Sequence, residues 1–342
     1  MPVTVGLMGF GRIGRNLFRL LYRDDGFRLG AISDIADPEA LAYLLRYDTI
    51  LGRFPDLVTY KSGHLYTRGR EIPLLSGKDP GDVRWADLGV EYVVEATGRD
   101  RSRAEIDRHL EAGARRVVLC IPPRERPDIS VVYGVNHDRL RPEHRIVSNA
   151  SCTAHCAAPL LATLNDAFGI ERVHLTAVHA YSSVQRLADV PAGDPRLSRA
   201  AAENIVPSAT NAAAVLDEVL PQMAGRIHAA ALRVPLPNGS LVDMTLWTGR
   251  TASRDGINEV VRTAAAGPYR AILEFSEDPI VSSDVEASPY SSVFDSLATM
   301  VLGGRLAKVI AWFNNGWAYS HRVVDLLRRF GEMDGAPREA RP

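Results

Sequence analysis

The apolar run Val3-Thr4-Val5-Gly6-Leu7-Met8 passes without a break into Gly9-Phe10-Gly11-Arg12-Ile13-Gly14, and Leu17, Leu20 and Leu21 follow at helical spacing. Few folds accommodate a strand, a glycine-bearing turn and a helix in that order. In a dinucleotide-binding unit the first glycine permits the tight turn, the second lets backbone approach a pyrophosphate, and the third lets helix and strand pack closely. The alternative is a structural turn without a ligand. A second strand is predicted over 27–33, ending at Asp34, about 20 residues past the glycines, where such units place a carboxylate on the ribose hydroxyls. A carboxylate there would repel a 2′-phosphate, which favours NAD over NADP. A turn or helix-capping role for Asp34 stays open.

The alternation continues. Residues 38–47 are predicted helical, and 57–75 read as short polar strands around Ser62-Gly63 and Arg68-Gly69. A buried strand over 91–95 stops at Ala96-Thr97-Gly98, a helix follows over 103–112, and a strand over 116–120 is broken by Pro122-Pro123. Strands alternating with helices imply an α/β fold, a Rossmann-type doubly wound parallel sheet with its ligand at the carboxyl ends of the strands. Thr97, Gly98 and Cys120 occupy such ends, so Cys120 reads as a wall of the cofactor pocket. After residue 170 longer strands are predicted at 173–180, 227–234, 241–248 and 307–314, with a loop at 182–192 and a helix at 211–220. That pattern implies an α+β catalytic domain with a mixed or antiparallel sheet. The expected organisation is a nucleotide-binding domain at 1–150, completed by a C-terminal helix at 317–330, and a catalytic domain at 151–316. The polar segment 331–342, bearing glycine and proline, is expected to be a disordered tail.

Between the two patterns lies Ser148-Asn149-Ala150-Ser151-Cys152-Thr153-Ala154-His155-Cys156, followed by Ala157, Leu160, Leu161, Leu164 and Phe168 at helical spacing. A helix therefore begins close to Cys152. A thiol at a helix N-terminus meets the positive end of the macrodipole and unpaired N–H groups, which favour the nucleophilic thiolate. Free cysteines are also often small buried residues, and the residues alone leave both readings open for Cys152. Cys156, one turn further along, reads as core. A nucleophile needs a base, and among nine histidines His179 ends a strand, where side chains commonly enter a site. Spacing alone does not select it.

Composition excludes several classes. A formal net charge of −1 over 342 residues gives no electrostatic footprint for nucleic acid or a membrane surface. No apolar run approaches the roughly 20 residues of a membrane span, and no signal-peptide pattern opens the chain. Three cysteines, two of them four apart, form no disulfide framework and no metal site. A cytoplasmic location fits.

Five motifs in order resemble the glyceraldehyde-3-phosphate dehydrogenase family over essentially the whole chain up to about Phe330. They are Gly9-Phe10-Gly11-Arg12-Ile13-Gly14-Arg15, Ala150-Ser151-Cys152-Thr153, Thr176-Ala177-Val178-His179-Ala180-Tyr181, Ala231-Leu232-Arg233-Val234-Pro235, and Trp312 to Tyr319. The resemblance implies a phosphorylating, NAD-dependent aldehyde dehydrogenase with Cys152 as nucleophile and His179 as base. It implies cofactor contacts from Arg12 and Ile13 on the pyrophosphate, Lys78 near the adenine, Asn315 on the carboxamide, and Tyr319. For the attacking phosphate it implies Ser151, Thr153, Thr210 and Asn211, and for the phosphate carried by the substrate Ser182 and Arg233. Several positions depart from the family. Asn211 replaces a glycine, Leu197 a second arginine, Val184 an aspartate, Ala214 a lysine, Gly316 a glutamate and His155 an asparagine. Pro191 matches NAD-preferring members, and segment 182–202 resembles the loop that crosses between subunits in family tetramers. The expected partners are a small aldehyde, inorganic phosphate and further copies of the chain in a homotetramer. A paralogue for another small aldehyde such as erythrose 4-phosphate, a NAD-binding protein with little catalysis, and an acyl-phosphate reductase preferring NADP are the alternatives.

Overall fold

The computed structural model describes residues 2–121, 123–182 and 185–335. The chain forms two compact units, one of residues 1–133, 137–150 and 320 onward, the other of 134–136 and 151–319.

The strands of the first unit are β1 (Val3–Met8), β2 (Phe27–Ser33), β3 (Tyr47–Asp48), β4 (Gly52–Arg53), β5 (Thr59–Lys61), β6 (His64–Thr67), β7 (Arg70–Leu75), β8 (Tyr92–Glu95), β9 (Arg116–Leu119), β10 (Ile129–Ser130) and β11 (Ile146–Ser148). Its helices are α1 (Arg12–Leu21), α2 (Pro38–Arg46) and α3 (Arg103–Glu111). Nine of these strands form one sheet in the order β10-β11-β9-β8-β1-β2-β7-β6-β5. Pairing is parallel from β10 through β7 and antiparallel only across the β7-β6-β5 edge. Every residue of β1, β8 and β9 is buried, as in a sheet covered on both faces. The continuous apolar runs of these strands follow from that burial. Ser62 and Arg68 adopt φ of 49° ahead of Gly63 and Gly69, so the predicted turns join β5 to β6 and β6 to β7.

The second unit contains α4 (Cys152–Phe168), β12 (Ile170–Ala180), β13 (Val206–Ser208), α5 (Ala212–Val219), β14 (Ile227–Val234), β15 (Ser240–Thr248), α6 (Arg254–Ala266), β16 (Leu273–Ser276), β17 (Ser292–Leu302) and β18 (Leu306–Phe313). Its sheet runs β13-β14-β12-β15-β18-β17-β16. The β12–β14 and β16–β17 pairs are parallel and the others antiparallel, a mixed sheet. The sequence pattern does not reveal β17, whose register shifts between Asp295 and Met300 and whose Leu297, Met300 and Leu302 are exposed. That breaks the clean alternation on which strand reading depends. It also does not reveal α6.

The last helix, α7 (Trp317–Met333), passes the predicted end and corrects the expected tail, which does not begin at Gly331. The next residue, Asp334, accepts from Tyr92 Oη at 2.8 Å and from Arg116 Nη2 at 2.7 Å. Phe330 packs edge-on against Tyr92. Residues 336–342 of the expected tail lie outside the described residues. No helix among the described residues is long and apolar enough to cross a membrane.

Candidate functional site

Cys152 is the first residue of α4, and the chain reaches it through a strained turn. Ala150 adopts φ of 47°, a left-handed conformation unusual for a residue with a Cβ. Ser151 then caps the helix, its hydroxyl accepting from Ala154 N–H at 3.1 Å. Cys152 itself is half-buried, and its Sγ lies 3.6 Å from His179 Nε2 near the end of β12. His179 Nδ1 lies 2.7 Å from the carbonyl oxygen of Ala180, which can only accept. The Nδ1 position therefore carries the proton, and in the neutral ring Nε2 turns a lone pair toward the sulfur. Phe313 packs edge-on against the imidazole with centroids 6.0 Å apart. A nucleophile within reach of a base, itself oriented by a third group, is the arrangement covalent catalysis requires.

The thiol does not behave as its place at a helix end predicts. Burial pushes it up to about 11, against the opposing pull of the Thr153 and Cys152 N–H groups, the Thr153 hydroxyl and the Arg233 guanidinium. Stripping water from a thiolate outweighs the helix terminus here. The other thiols are pushed higher still, Cys156 to about 12 by burial, and Cys120 by burial and the nearby charge of Glu95. Cys156 is wholly buried, its Sγ 3.6 Å from Ser292 Oγ. We expect iodoacetamide to label Cys152 at least tenfold faster than Cys120 or Cys156 near neutral pH, because it alone combines access with a base. Peptide mapping after brief labelling checks this, and equal labelling of all three would contradict it.

A cationic and hydroxylic cluster adjoins the sulfur. Arg233 on β14 pairs in register with His179 on β12, and its charge acts on Cys152. Its Nη1 donates to Ser182 Oγ at 3.2 Å, while its Nε is buried with no hydrogen-bond partner. A buried guanidinium N–H left open in this way suits an anionic ligand. The Ser182 N–H donates to Oε1 of the buried Gln185 at 3.3 Å, a contact with no signal in the sequence. Thr153 is buried beside the sulfur. Thr210 and Asn211 are exposed at the start of α5, and Thr210 Oγ1 accepts from Ala212 N–H at 3.1 Å. Asn211 has φ of −101°, ordinary backbone for any side chain, so replacing a glycine strains nothing. Leu197 is half-buried, and Arg199 is committed to Asp189 at 3.1 Å. Val184 lies outside the described residues.

The glycine turn of the first unit fits a dinucleotide. Gly9 has φ of 97°, and a Cβ there would stand 2.6 Å from the Thr97 nitrogen. A Cβ on Gly14 would strike the Gly9 carbonyl oxygen. At Gly11, by contrast, a Cβ would meet nothing within 4 Å, and the residue begins α1 with no side-chain cap. The first turn of α1, with Arg12 exposed and Ile13 half-buried, also carries no acidic residue. Open N–H groups at a helix start are a ready anion site. Asp34 serves the turn as well: Oδ2 accepts from Phe10 N–H at 2.6 Å and Oδ1 from Ala36 N–H at 2.9 Å. Each oxygen keeps a further lone pair for a hydroxyl. Thr97 and Gly98 follow β8, Cys120 follows β9, and Lys78 is exposed in the loop after β7. In the second unit, Asn315 Oδ1 is buried without a hydrogen-bond partner, and Tyr319 is buried with its ring edge-on to His155.

Comparison with known proteins meets this geometry. Residues 3–103 match the family model described as glyceraldehyde 3-phosphate dehydrogenase, NAD binding domain, and 151–315 match its C-terminal domain. Glyceraldehyde-3-phosphate dehydrogenase of Geobacillus stearothermophilus is 42% identical over 95% of this chain and 97% of its own length. Glyceraldehyde-3-phosphate dehydrogenase 1 of Bacillus subtilis (43%, over 95% and 97%) and the Kitasatospora aureofaciens enzyme of that name (45%, over 95% and 98%) are similar throughout. With both halves matched and the cysteine, the imidazole and the glycine turn in place, the chain belongs to the glyceraldehyde-3-phosphate dehydrogenase family.

Proposed function

We propose that this chain is a NAD-dependent, phosphorylating glyceraldehyde-3-phosphate dehydrogenase. The observation that carries the reading is the 3.6 Å approach of Cys152 Sγ to His179 Nε2, with Arg233 beside them. His179 accepts the thiol proton as sulfur attacks the aldehyde carbon, and returns it to the alkoxide to give a thiohemiacetal. His179 then takes the hydroxyl proton as the carbon loses hydride, leaving a thioester on Cys152. When bound, NAD supplies the hydride acceptor. Inorganic phosphate attacks the thioester carbonyl, an acyl phosphate forms, and Cys152 departs as thiolate.

Other residues bind. The first N–H groups of α1, at Arg12 and Ile13, suit the pyrophosphate, with Gly9, Gly11 and Gly14 shaping the approach. Asp34 takes the ribose hydroxyls, and Lys78, Thr97, Gly98 and Cys120 line the groove. Asn315 and Tyr319 serve the nicotinamide, Asn315 through the carboxamide. Ser151, Thr153, Thr210 and Asn211 serve the attacking phosphate, and Ser182 with Arg233 the phosphate of the substrate. Segment 182–202 contributes to a homotetramer, a reading supported by the exposed Leu187 and Val190. A cytoplasmic location suits a site that needs its thiol reduced.

A turnover assay with saturating NAD tests the reading. NADH should form from glyceraldehyde 3-phosphate only when inorganic phosphate, or arsenate in its place, is supplied. Arg233→Gln should raise KM for that aldehyde about 10- to 100-fold, the loss of a charge-assisted phosphate partner. The half-buried Leu197 and the Asp189-bound Arg199 favour a second reading, a relative acting on another small aldehyde. Equal turnover of unphosphorylated aldehydes would select it.

A further inference from the structure

A buried polar network lies in the first unit, and none of the chemistry above uses it. Glu95, at the end of β8, is 3% exposed, and both of its oxygens are occupied. Oε1 accepts from the Thr97 N–H at 3.0 Å and from the Thr97 hydroxyl. Oε2 lies 3.2 Å from His109 Nε2 and 3.3 Å from Arg101 Nε. The indole N–H of Trp85 donates to His109 Nδ1 at 3.0 Å, so the proton of the neutral ring sits on Nε2 and points at Glu95. His109 and Arg101 are themselves 0% and 3% exposed. Burial works to lift the Glu95 carboxyl, but the His109 and Thr97 hydrogen bonds, with the charges of His109 and Arg101, outweigh it and hold the group below its usual range.

What this network fixes is the groove wall. The Ala96 N–H donates to the Met8 carbonyl at 2.7 Å, and the Ala96–Thr97 peptide packs so closely on Gly9 that only a glycine fits. Arg101 reaches the other way. Its Nη1 pairs with Asp79 at 3.0 Å and its Nη2 donates to the Lys78 carbonyl at 3.1 Å. One buried guanidinium thus ties the loop after β8 to the loop after β7, the two loops that carry Thr97, Gly98 and Lys78. A charged pair with so little access to water is costly to keep for stability alone.

We propose that Glu95, Arg101 and His109 are positioning residues for NAD: they preset the two loops that line its groove without touching it. The inference rests on the NAD reading above. Preorganised walls reduce the ordering cost of binding, so their loss should appear in cofactor affinity and not in chemistry. NAD affinity of the full chain would be measured by titration calorimetry, and KM and kcat by steady-state assay, for the parent protein, Glu95→Gln and Arg101→Lys. Glu95→Gln keeps the shape but turns an amide donor toward His109 and Arg101. It should weaken NAD binding and raise KM for NAD about tenfold, as about 1.4 kcal/mol would. At saturating NAD, kcat, KM for the aldehyde and Cys152 labelling should stay within about twofold, on the differential-binding argument. Arg101→Lys keeps the charge but cannot fork to Lys78 and Asp79, and should give the same split. If Glu95→Gln fails to fold, Arg101→Lys decides. Unaltered NAD affinity in a folded variant, with only the melting temperature lowered, would overturn the proposal. A parent protein that does not bind NAD would instead sink the functional reading.

Discussion

His179→Ala lowers kcat by about 10²- to 10⁴-fold, the usual contribution of a positioned acid–base group, while NAD binding is unchanged. The size of the loss follows from the state of the sulfur. Burial raises the Cys152 thiol to about 11, so near neutral pH almost none is ionised on its own. On the proposed mechanism the Nε2 lone pair, fixed by the Nδ1 contact with the Ala180 carbonyl, is then the route by which sulfur loses its proton. In that mechanism the same group takes a second proton when hydride leaves, so both halves of the oxidation pass through it. His179→Ala should also slow the labelling of Cys152. A kcat within threefold of the parent would show that another base serves the sulfur.

Asp334→Ala should cost the fold about 3 kcal/mol or more, the loss that follows when a buried ion pair is broken from one side. Asp334 and Arg116 have side chains only 6% and 3% exposed, and the carboxylate accepts from Arg116 Nε at 3.1 Å and Nη2 at 2.7 Å. Arg115 stands 3.0 Å away, and Tyr92 donates its hydroxyl. Removing the carboxylate leaves the Arg116 guanidinium against the Phe330 ring with only the Pro142 and His144 carbonyls. The expected fall in melting temperature is about 6–12 °C, at 2–4 °C per kcal/mol. Burial works to raise the Asp334 carboxyl, but the Arg116 and Tyr92 donors outweigh it and hold it below its usual range. Its contribution is therefore complete above the unfolded value near 4 and is lost as pH falls through the lower folded value. The variant should lack that part of the acid sensitivity. An unchanged melting temperature would mean that the chain end is not anchored there.

That anchor also shows where sequence reading stops. The turn from Gly9 to Gly14 is legible because it sits within a local pattern, a strand running into a turn and a helix, whereas Cys152 and His179 stand out as a pair only through the resemblance to the family. Asp334 sits among polar residues next to a proline-bearing end, and its partners are 218 and 242 positions away. No local period reports them. Glu95, Arg101 and His109 are hidden for the same reason: a buried strand is predicted at Glu95, but no local period brings Arg101 and His109 to its carboxylate. The thiol illustrates a different limit. The helix terminus and its N–H groups can be read from Ser151 and the apolar spacing that follows, but the desolvation that outweighs them belongs to tertiary packing. Of the residues expected to hold phosphate, Arg233 and Ser182 lie together, and Thr210 Oγ1 accepts from Ala212 N–H with its hydroxyl proton left to donate.

The most direct test is to mix the protein with glyceraldehyde 3-phosphate and NAD without phosphate or arsenate, quench in acid, and map the acyl group by mass spectrometry. One NADH should form per chain in a burst, and one acyl group should be found, on Cys152. A burst with no adduct, or an adduct on Cys120 or Cys156, would contradict a thioester at Cys152.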